Sequence, residues 1–262
     1  MIDTIKIVIP YSQRPHWVEK AKLYQSLDAT TGVFKATANP STTYKKMGIY
    51  QPRLTYMERP IGNYKKSYEL AIELSLPKLM FSNNFSELTD DNFTELVNKL
   101  SQTLRTTYSV WLLPSVLEQA RVTKIDYSKN IIYTDQTPVS TIAYNVAKAD
   151  ISKVYDVQHT DFRNGGHILH IKHANCLDFA LYDKVADLSQ EKVSSKRSRE
   201  KDGFIQLSLL DELKKQRRVT VARLEIRLSS AKKIRQELTA VGIDNNGLAF
   251  KEMFSTNISA GS

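Results

Sequence analysis

Apolar and polar residues alternate from Ile5 to Ile9 in a stretch rich in β-branched side chains, and Pro10 closes the run; the pattern predicts a first β-strand. Two further β-leaning runs, MGIY at 47–50 and RLTYME at 53–58, flank Gln51-Pro52, which suits a turn from one run into the other. From Tyr68 to Leu76, Glu69, Ala71, Glu73 and Ser75 alternate with apolar neighbours, which favours a strand over a short helix. The clearest helix is predicted from Asp90 to Thr107: Thr89 or Asp90 caps it, and Phe93, Leu96, Val97, Leu100 and Leu104 recur at helical spacing. Arg121–Asp126 and Ile131–Thr134 predict a strand–turn–strand unit with the turn at Ser128-Lys129-Asn130, and Val139–Lys148 predicts a helix.

A second strand pair is predicted with His167–Lys172 as one arm, Ala174-Asn175 as the turn and Leu177–Asp183 as the other arm. The polar stretch EKVSSKRSREKDG reads as a basic loop or frayed helix, and Phe204–Arg217 reads as a helix. Val219–Leu228 (VTVARLEIRL) is strongly β, and Ser229 or Ser230 caps a final amphipathic helix to about Ala240. The closing STNISAGS is small and polar, as a disordered end would be. Strand pairs that alternate with helices predict an α+β fold: an antiparallel β-sheet core of paired strands covered by helices, in one large domain or two related halves.

Composition narrows the partner. The chain has 262 residues, 41% of them hydrophobic, enough for a substantial core. Its one cysteine, Cys176, excludes a disulfide framework and a cysteine-based zinc site, which suits a reducing cytoplasm. No apolar run approaches the roughly 20 residues that span a bilayer, and MIDTIKIVIP reads as a strand, not a leader, so no membrane partner is expected. The net charge is +9, and the segment Lys192–Arg235, with 14 Lys or Arg against five acids, carries an excess of the same size. Such a run is either a solvated face or an anion-binding surface; as the latter it would contact nucleic-acid phosphates. Lys192, Lys196, Arg197, Arg199, Arg223 and Arg227 are the candidate DNA contacts.

Strand alternation also sorts the candidate chemistry. On Val219–Leu228, Arg223, Glu225 and Arg227 share one face, opposite Ala222, Leu224, Ile226 and Leu228. Glu225 either pairs with its two arginines structurally or helps to build a site for metal and phosphate. Lys124 and Asp126 share a face of their strand, as do Asp178, Tyr182 and Lys184 of theirs, whereas Asp183 points the other way. Asp126 and Glu225 are hard oxygen ligands suited to Mg²⁺ or Mn²⁺, and Tyr182 is a candidate nucleophile with Lys184 near a phosphate. His167, His170 and His173 have a spacing of three, where the metal pair of many single-strand nickases needs two. Tyr144 and Lys148 form a Y-x-x-x-K pair on a helix, ahead of the histidines instead of behind them. There is no P-loop, no G-x-G-x-x-G, no serine-hydrolase elbow and no H-E-x-x-H, so kinase, ATPase, dehydrogenase and zinc-protease readings lack support.

MIDTIKIVIPY at the start, RVTKIDYS in the middle, LDFALYDKVADL and finally VARLEIRL resemble, in order, the gene II-type replication initiators of filamentous phages and related phage and plasmid replication proteins. A trio of strands bearing Asp, Tyr-Asp-Lys and Arg-x-Glu is also similar to that of the rolling-circle plasmid initiators of Gram-positive bacteria. The resemblance covers residues 1–240, which it makes the initiator domain, with 241–262 as a partly disordered tail. It implies a cytoplasmic nickase that cuts one strand at an origin, becomes linked through tyrosine to the 5′ end and frees a 3′-OH primer. On that basis Asp126 and Glu225 would bind the metal, Tyr182 would be the nucleophile and Lys184 would contact the scissile phosphate. A homodimer partner and a host helicase or polymerase are also expected. Two departures stand out: the plasmid initiators carry their tyrosine where this chain has Leu169, and the phage proteins have a C-terminal extension that this chain lacks. The contrasting expectation is a non-catalytic DNA-binding protein, a degenerate initiator or repressor.

Overall fold

The computed structural model describes residues 1–20, 23–47, 49–62, 64–135, 137–148, 157–163, 168–173, 176–185, 220–243 and 247–255. Ten strands are described: β1 (Ile2–Tyr11), β2 (Tyr24–Leu27), β3 (Phe34–Ala38), β4 (Arg53–Ile61), β5 (Lys65–Ser75), β6 (Arg121–Tyr133), β7 (Val157–Arg163), β8 (Ile168–His173), β9 (Leu177–Asp183) and β10 (Thr220–Leu228). They form one sheet in the order β2-β3-β4-β5-β1-β6-β10-β9-β8-β7, with every pairing antiparallel. The order splits into two halves of identical topology. In each, a first strand is followed by a four-strand meander whose last strand returns beside the first, and β1 and β6 join the halves at the centre. The α+β fold is thus as the sequence predicts, and of the two arrangements it leaves open the sheet takes that of two related halves.

The helices are α1 (Trp17–Lys20), α2 (Thr42–Lys46), α3 (Leu76–Phe81), α4 (Phe93–Tyr108), α5 (Pro114–Glu118), α6 (Val139–Ala147), α7 (Ala231–Ala240) and α8 (Phe250–Ser255). Helix α4 follows a short 3₁₀ turn at Asp90–Asn92, where Thr89 N–H donates to Asn92 Oδ1 at 2.9 Å. It buries Leu96, Val97, Leu100 and Leu104 on one stripe and stops at Ser109, whose left-handed φ of 56° turns its N–H back to Arg105. Helix α7 is capped by Ser230, which accepts from Lys233 N–H at 3.2 Å, and it buries Ile234 and Leu238 one turn apart.

All helices that enter the buried clusters pack on the same side of the sheet. Ile5, Ile7 and Ile9 of β1, Leu70, Ile72 and Leu74 of β5, Ile125 of β6 and Leu228 of β10 point to that side in register and meet α3, α4, α5, α7 and α8 in the main core. At one flank α1 sets Trp17 and Val18 against Ala36 and Tyr56; at the other, α6 sets Val139 and Ala143 against Leu181 and Ala222. The two flanking helices follow the first strand of their halves, so they occupy corresponding places. Among the described side chains the opposite side of the sheet is mainly polar, with a small buried apolar cluster of Val8, Met57 and Ala71.

Three expectations need correction. Met47, Ile49 and Tyr50 are not in a strand; they follow α2, and the Ile49 N–H bonds back to Tyr44. Ser128-Lys129-Asn130 is not a turn but the middle of the thirteen-residue β6, paired residue for residue with Glu225, Leu224 and Arg223 of β10. Short β2, β3 and β7 went unannounced: β2 is an exposed edge strand that lacks a buried face to impose alternation. The predicted helix at 204–217, the turn at 174–175 and the closing STNISAGS lie outside the described residues, apart from Ser255 at the end of α8.

Residues 247–255 of the expected tail are built into the core. Ala249 bridges to Arg121, the Phe250 N–H donates to Ala120 O at 2.9 Å, and Leu248, Phe250 and Met253 are buried. The Phe250 ring lies 5.3 Å from that of Phe93 and 6.3 Å from that of Phe254, within aromatic contact. Phe250→Ala is therefore expected to cost about 3–5 kcal/mol in urea unfolding; a loss below about 1 kcal/mol would show that α8 is peripheral.

Candidate functional site

The polar side of the sheet gathers its chemistry on β1, β5, β6, β10 and β9. Ladder partners share a face, so the register fixes the neighbours. Lys6 stands opposite both Glu73 and Lys124, Asp126 opposite Arg227, Ser128 opposite Glu225, and Asn130 opposite Arg223. On the far side of β10, Arg223 faces Tyr182 and Arg227 faces Asp178. Asp126, Glu225, Tyr182 and Arg227 thus come together on one face, as alternation requires.

Arg223 is fully buried, with 0% exposure. Its Nε donates to Glu225 Oε1 at 3.0 Å, Nη1 donates to Asn84 O at 2.7 Å and Asn130 Oδ1 at 3.2 Å, and Nη2 donates to Ser128 Oγ at 2.9 Å. Nη2 also makes an ion pair with Asp3 Oδ1 at 2.9 Å. That contact lacks hydrogen-bond geometry, since Asp3 Oδ1 accepts no hydrogen bond. Four strands or loops therefore converge on one guanidinium, whose charge Asp3 and Glu225 hold against the cost of burial.

Glu225 is buried and completely engaged. Oε1 accepts from Tyr182 Oη at 2.5 Å as well as from Arg223, and Oε2 accepts from Arg227 Nε at 3.1 Å and Nη2 at 2.5 Å. Burial alone would raise its pKa, but Arg227, Arg223 and the Tyr182 hydroxyl outweigh that and hold it at about 2. Asp126 is the opposite case. Desolvation pushes its pKa up to about 6 against the pull of Lys124 and Arg227, and Glu225 adds to the push. Its Oδ2 pairs with Lys124 at 3.4 Å, but its buried Oδ1 has no hydrogen-bond partner.

Charge balance separates two bonded clusters. Asp3, Arg223, Glu225 and Arg227 contain two acids and two cations. Glu73, Lys124 and Asp126 contain two acids and one cation, because Lys124 bridges both carboxylates. Among the described residues Lys6 shares this face but makes no ion pair there. A hard cation would satisfy Asp126 Oδ1, so Asp126 fits the expected Mg²⁺ or Mn²⁺; Glu225, with both oxygens filled, does not. No group of three or more His, Cys, Asp or Glu that could hold a metal occurs among the described residues.

The other expectations divide as follows. Arg223 cannot serve as a DNA contact, being buried and engaged, whereas the Arg227 side chain is 36% exposed. Lys184 is buried, with Nζ 5.7 Å from the Phe85 ring and 5.9 Å from the Tyr182 ring, so it does not present itself to a DNA backbone. Lys192, Lys196, Arg197, Arg199 and His167 lie outside the described residues, and only the backbone of His170 and His173 is described. Tyr144 is exposed on α6, with Lys148 over its ring at 4.1 Å, on the helix-covered side and away from the site. Cys176 is exposed in a turn with φ 66°. Sequence reasoning missed Asp3, Asn84, Ser128 and Asn130; the polar triplet at 128–130, read as a turn, was the available signal. A cavity of about 330 Å³ lined by Ile2, Tyr127, Leu224, Ile226, Met253 and Phe254 belongs to the helix-covered side.

The class that fold and site define is an antiparallel sheet with helices on one side and an acidic, basic and phenolic cluster on the other. No family model matches the chain, and no curated protein matches it. Among solved structures, the di-domain aromatase/cyclase BexL of the BE-7585A biosynthetic pathway is similar at 10% identity and a TM-score of 0.23, over 91% of this chain and 75% of that one. The di-domain aromatase/cyclase StfQ of the steffimycin pathway is similar at 8% identity and a TM-score of 0.26, over 98% and 84%. Likeness at that level carries no argument about fold or activity.

Two measurements check these electrostatics. Arg223→Lys keeps the charge but has fewer donors, and it is expected to lose about 3 kcal/mol or more of stability; a neutral result would remove the guanidinium from its central place. Asp126 has a folded pKa of about 6, above its unfolded value, so the folded state binds more protons and stability falls as pH rises from about 4 to 6. Glu225 acts oppositely, adding stability above about 4.5 that is lost as pH falls toward 2. With divalent cations chelated, Asp126→Asn should therefore exceed the native protein in stability by about 1–3 kcal/mol at pH 8. The gain should vanish near pH 4, and destabilisation at pH 8 would refute the desolvation argument.

Proposed function

We propose that this protein is a tyrosine-dependent DNA nickase that initiates rolling-circle replication. The observation that carries the reading is Tyr182: its hydroxyl is fixed on the helix-free polar face, in one hydrogen-bonded cluster with Glu225 and Arg227, and Arg227 stands opposite Asp126 in the ladder. In the reaction, Tyr182 Oη attacks the phosphorus of one DNA strand and loses its proton to solvent. The P–O3′ bond breaks, its electron pair leaves with the 3′ oxygen, and that oxygen takes up a proton. The products are a 5′-phosphotyrosyl link and a 3′-OH primer. Arg227, the exposed cation of the cluster, neutralises the phosphate charge, a role the resemblance gives to Lys184. Asp126 is the residue that would hold Mg²⁺ or Mn²⁺, which when bound stabilises charge on the phosphate.

Under this reading the partners are origin DNA, a second copy of the chain in a homodimer, and a host helicase or polymerase, in the cytoplasm. No described helix is long and apolar enough to cross a membrane. The basic segment that includes Lys192, Lys196, Arg197 and Arg199 supplies salt-sensitive phosphate contacts.

A second reading, a non-catalytic DNA-binding protein, is favoured by the closed ion-pair network around Glu225, which also suits a purely structural polar layer. Incubation with supercoiled DNA that carries the cognate origin, with Mg²⁺ or Mn²⁺, separates the two. The nickase gives a covalent protein–DNA adduct that Tyr182→Phe abolishes. An adduct that survives Tyr182→Phe removes this nucleophile, and tight salt-sensitive binding without any nick establishes the second reading.

A further inference from the structure

The resemblance makes Glu225 a metal ligand, and its surroundings argue otherwise. A carboxylate offers about four lone-pair sites. Tyr182 Oη and Arg223 Nε take those of Oε1, and Arg227 Nε and Nη2 take those of Oε2. All four sites are filled, so a cation could bind Glu225 only by displacing one of these donors. Arg223 cannot yield without also releasing Asn84, Ser128, Asn130 and Asp3. Ala180 stands directly opposite Glu225 in the ladder, and its small side chain leaves the space there to the phenol reaching over from Tyr182.

We propose that Glu225 is the positioning residue of Tyr182, fixing the phenol oxygen on the polar face, and is not a ligand of a divalent cation. The inference rests on the nickase reading. Positioning, and not proton abstraction, is the role that the chemistry permits. With a pKa of about 2, the Glu225 carboxylate is roughly 10⁸-fold weaker as a base than a phenolate. The proton of the attacking hydroxyl therefore does not stay on Oε1. The two arginines that weaken Glu225 as a base also keep it ionised, and therefore an acceptor of fixed direction, throughout the neutral range.

The full chain labelled with 3-fluorotyrosine provides a test with three readouts: the fluorine resonance of Tyr182, assigned by its loss in Tyr182→Phe; Mn²⁺ affinity by electron paramagnetic resonance; and single-turnover adduct formation. Glu225→Gln keeps an oxygen for Tyr182 and Arg223, so the resonance should stay in place, Mn²⁺ affinity should be unchanged, and cleavage should fall by no more than about tenfold. Glu225→Ala should move the resonance and lower cleavage by about 100-fold at saturating Mn²⁺, again with unchanged Mn²⁺ affinity. Asp126→Asn is the control that should weaken Mn²⁺ by about tenfold or more without moving the resonance. A loss of Mn²⁺ affinity of about tenfold in either Glu225 variant, with the Tyr182 resonance in place, overturns the proposal. If Glu225→Ala does not fold, Glu225→Gln decides through the same two physical readouts. If the native protein forms no adduct with any cation, the nickase reading fails, while the resonance and Mn²⁺ affinity still judge Glu225.

Discussion

The buried guanidinium of Arg223 is the constraint on which the rest of the polar face depends. Its N–H donors must find acceptors in the buried interior: four hydrogen bonds go to β6, β10 and the loop before α4, and Asp3 at the start of β1 adds an ion pair. Past the pairing of Ile2 with Tyr127, the Ser128 N–H donates to Met1 O at 2.9 Å and Asn130 Nδ2 donates to Phe85 O at 3.2 Å, which holds the second half of β6 on that side. Removing Arg223 would strand Asp3 as a buried charge and take from Glu225 one of its two arginines, a cost of several kcal/mol. The same pairing orients Glu225, and Glu225 in turn orients Tyr182. The site is thus an extension of a structural ion-pair network, one bond removed from the core of the second half.

The two halves share a topology but not a chemistry. In the first half the helix-free face carries Val8, Met57 and Ala71 as a small buried apolar patch beside Glu69, which Arg59 and Arg121 approach. In the second half the face carries Arg223, Glu225, Arg227, Asp126 and Tyr182. Among the described residues the first half supplies this face mainly with Asp3 and Glu73, while its own buried carboxylate, Glu58, is engaged by Tyr56, Arg14 and Lys66.

Much of this was legible in the sequence, for a physical reason. Period-two alternation decides which face a side chain takes, so the common face of Lys124 with Asp126, and of Arg223, Glu225 and Arg227, could be read directly, as could the place of Asp183 on the opposite, helix-covered face. Alternation does not encode depth. Arg223 and Arg227 look equivalent on one strand, yet the first is sealed and the second is partly open, because only the first lies opposite Asn130 and beneath the loop at Asn84. The triplet Ser128-Lys129-Asn130 has turn chemistry in isolation; inside the sheet two of its polar side chains are spent on Arg223, and tertiary contacts override local preference. Phe250 and Met253 were hidden for a similar reason: they lie ten and thirteen residues after a helix end at Ala240, with no local sign of returning to a distant core.

Asp126 is where the network does not close. The Arg223 cluster is neutral as bonded, so it neither demands nor readily admits another ion. The cluster of Glu73, Lys124 and Asp126 is one cation short, and the deficit appears where burial is deepest: Oδ1 without a donor and a pKa raised to about 6. A proton relieves that deficit in mild acid, and at neutral pH a hard divalent cation, if bound, would relieve it at the expense of the proton. The two arginines that close the site around Glu225 leave Asp126 as the open acid of this face, so any cation that the site recruits is drawn to β6 and not to β10.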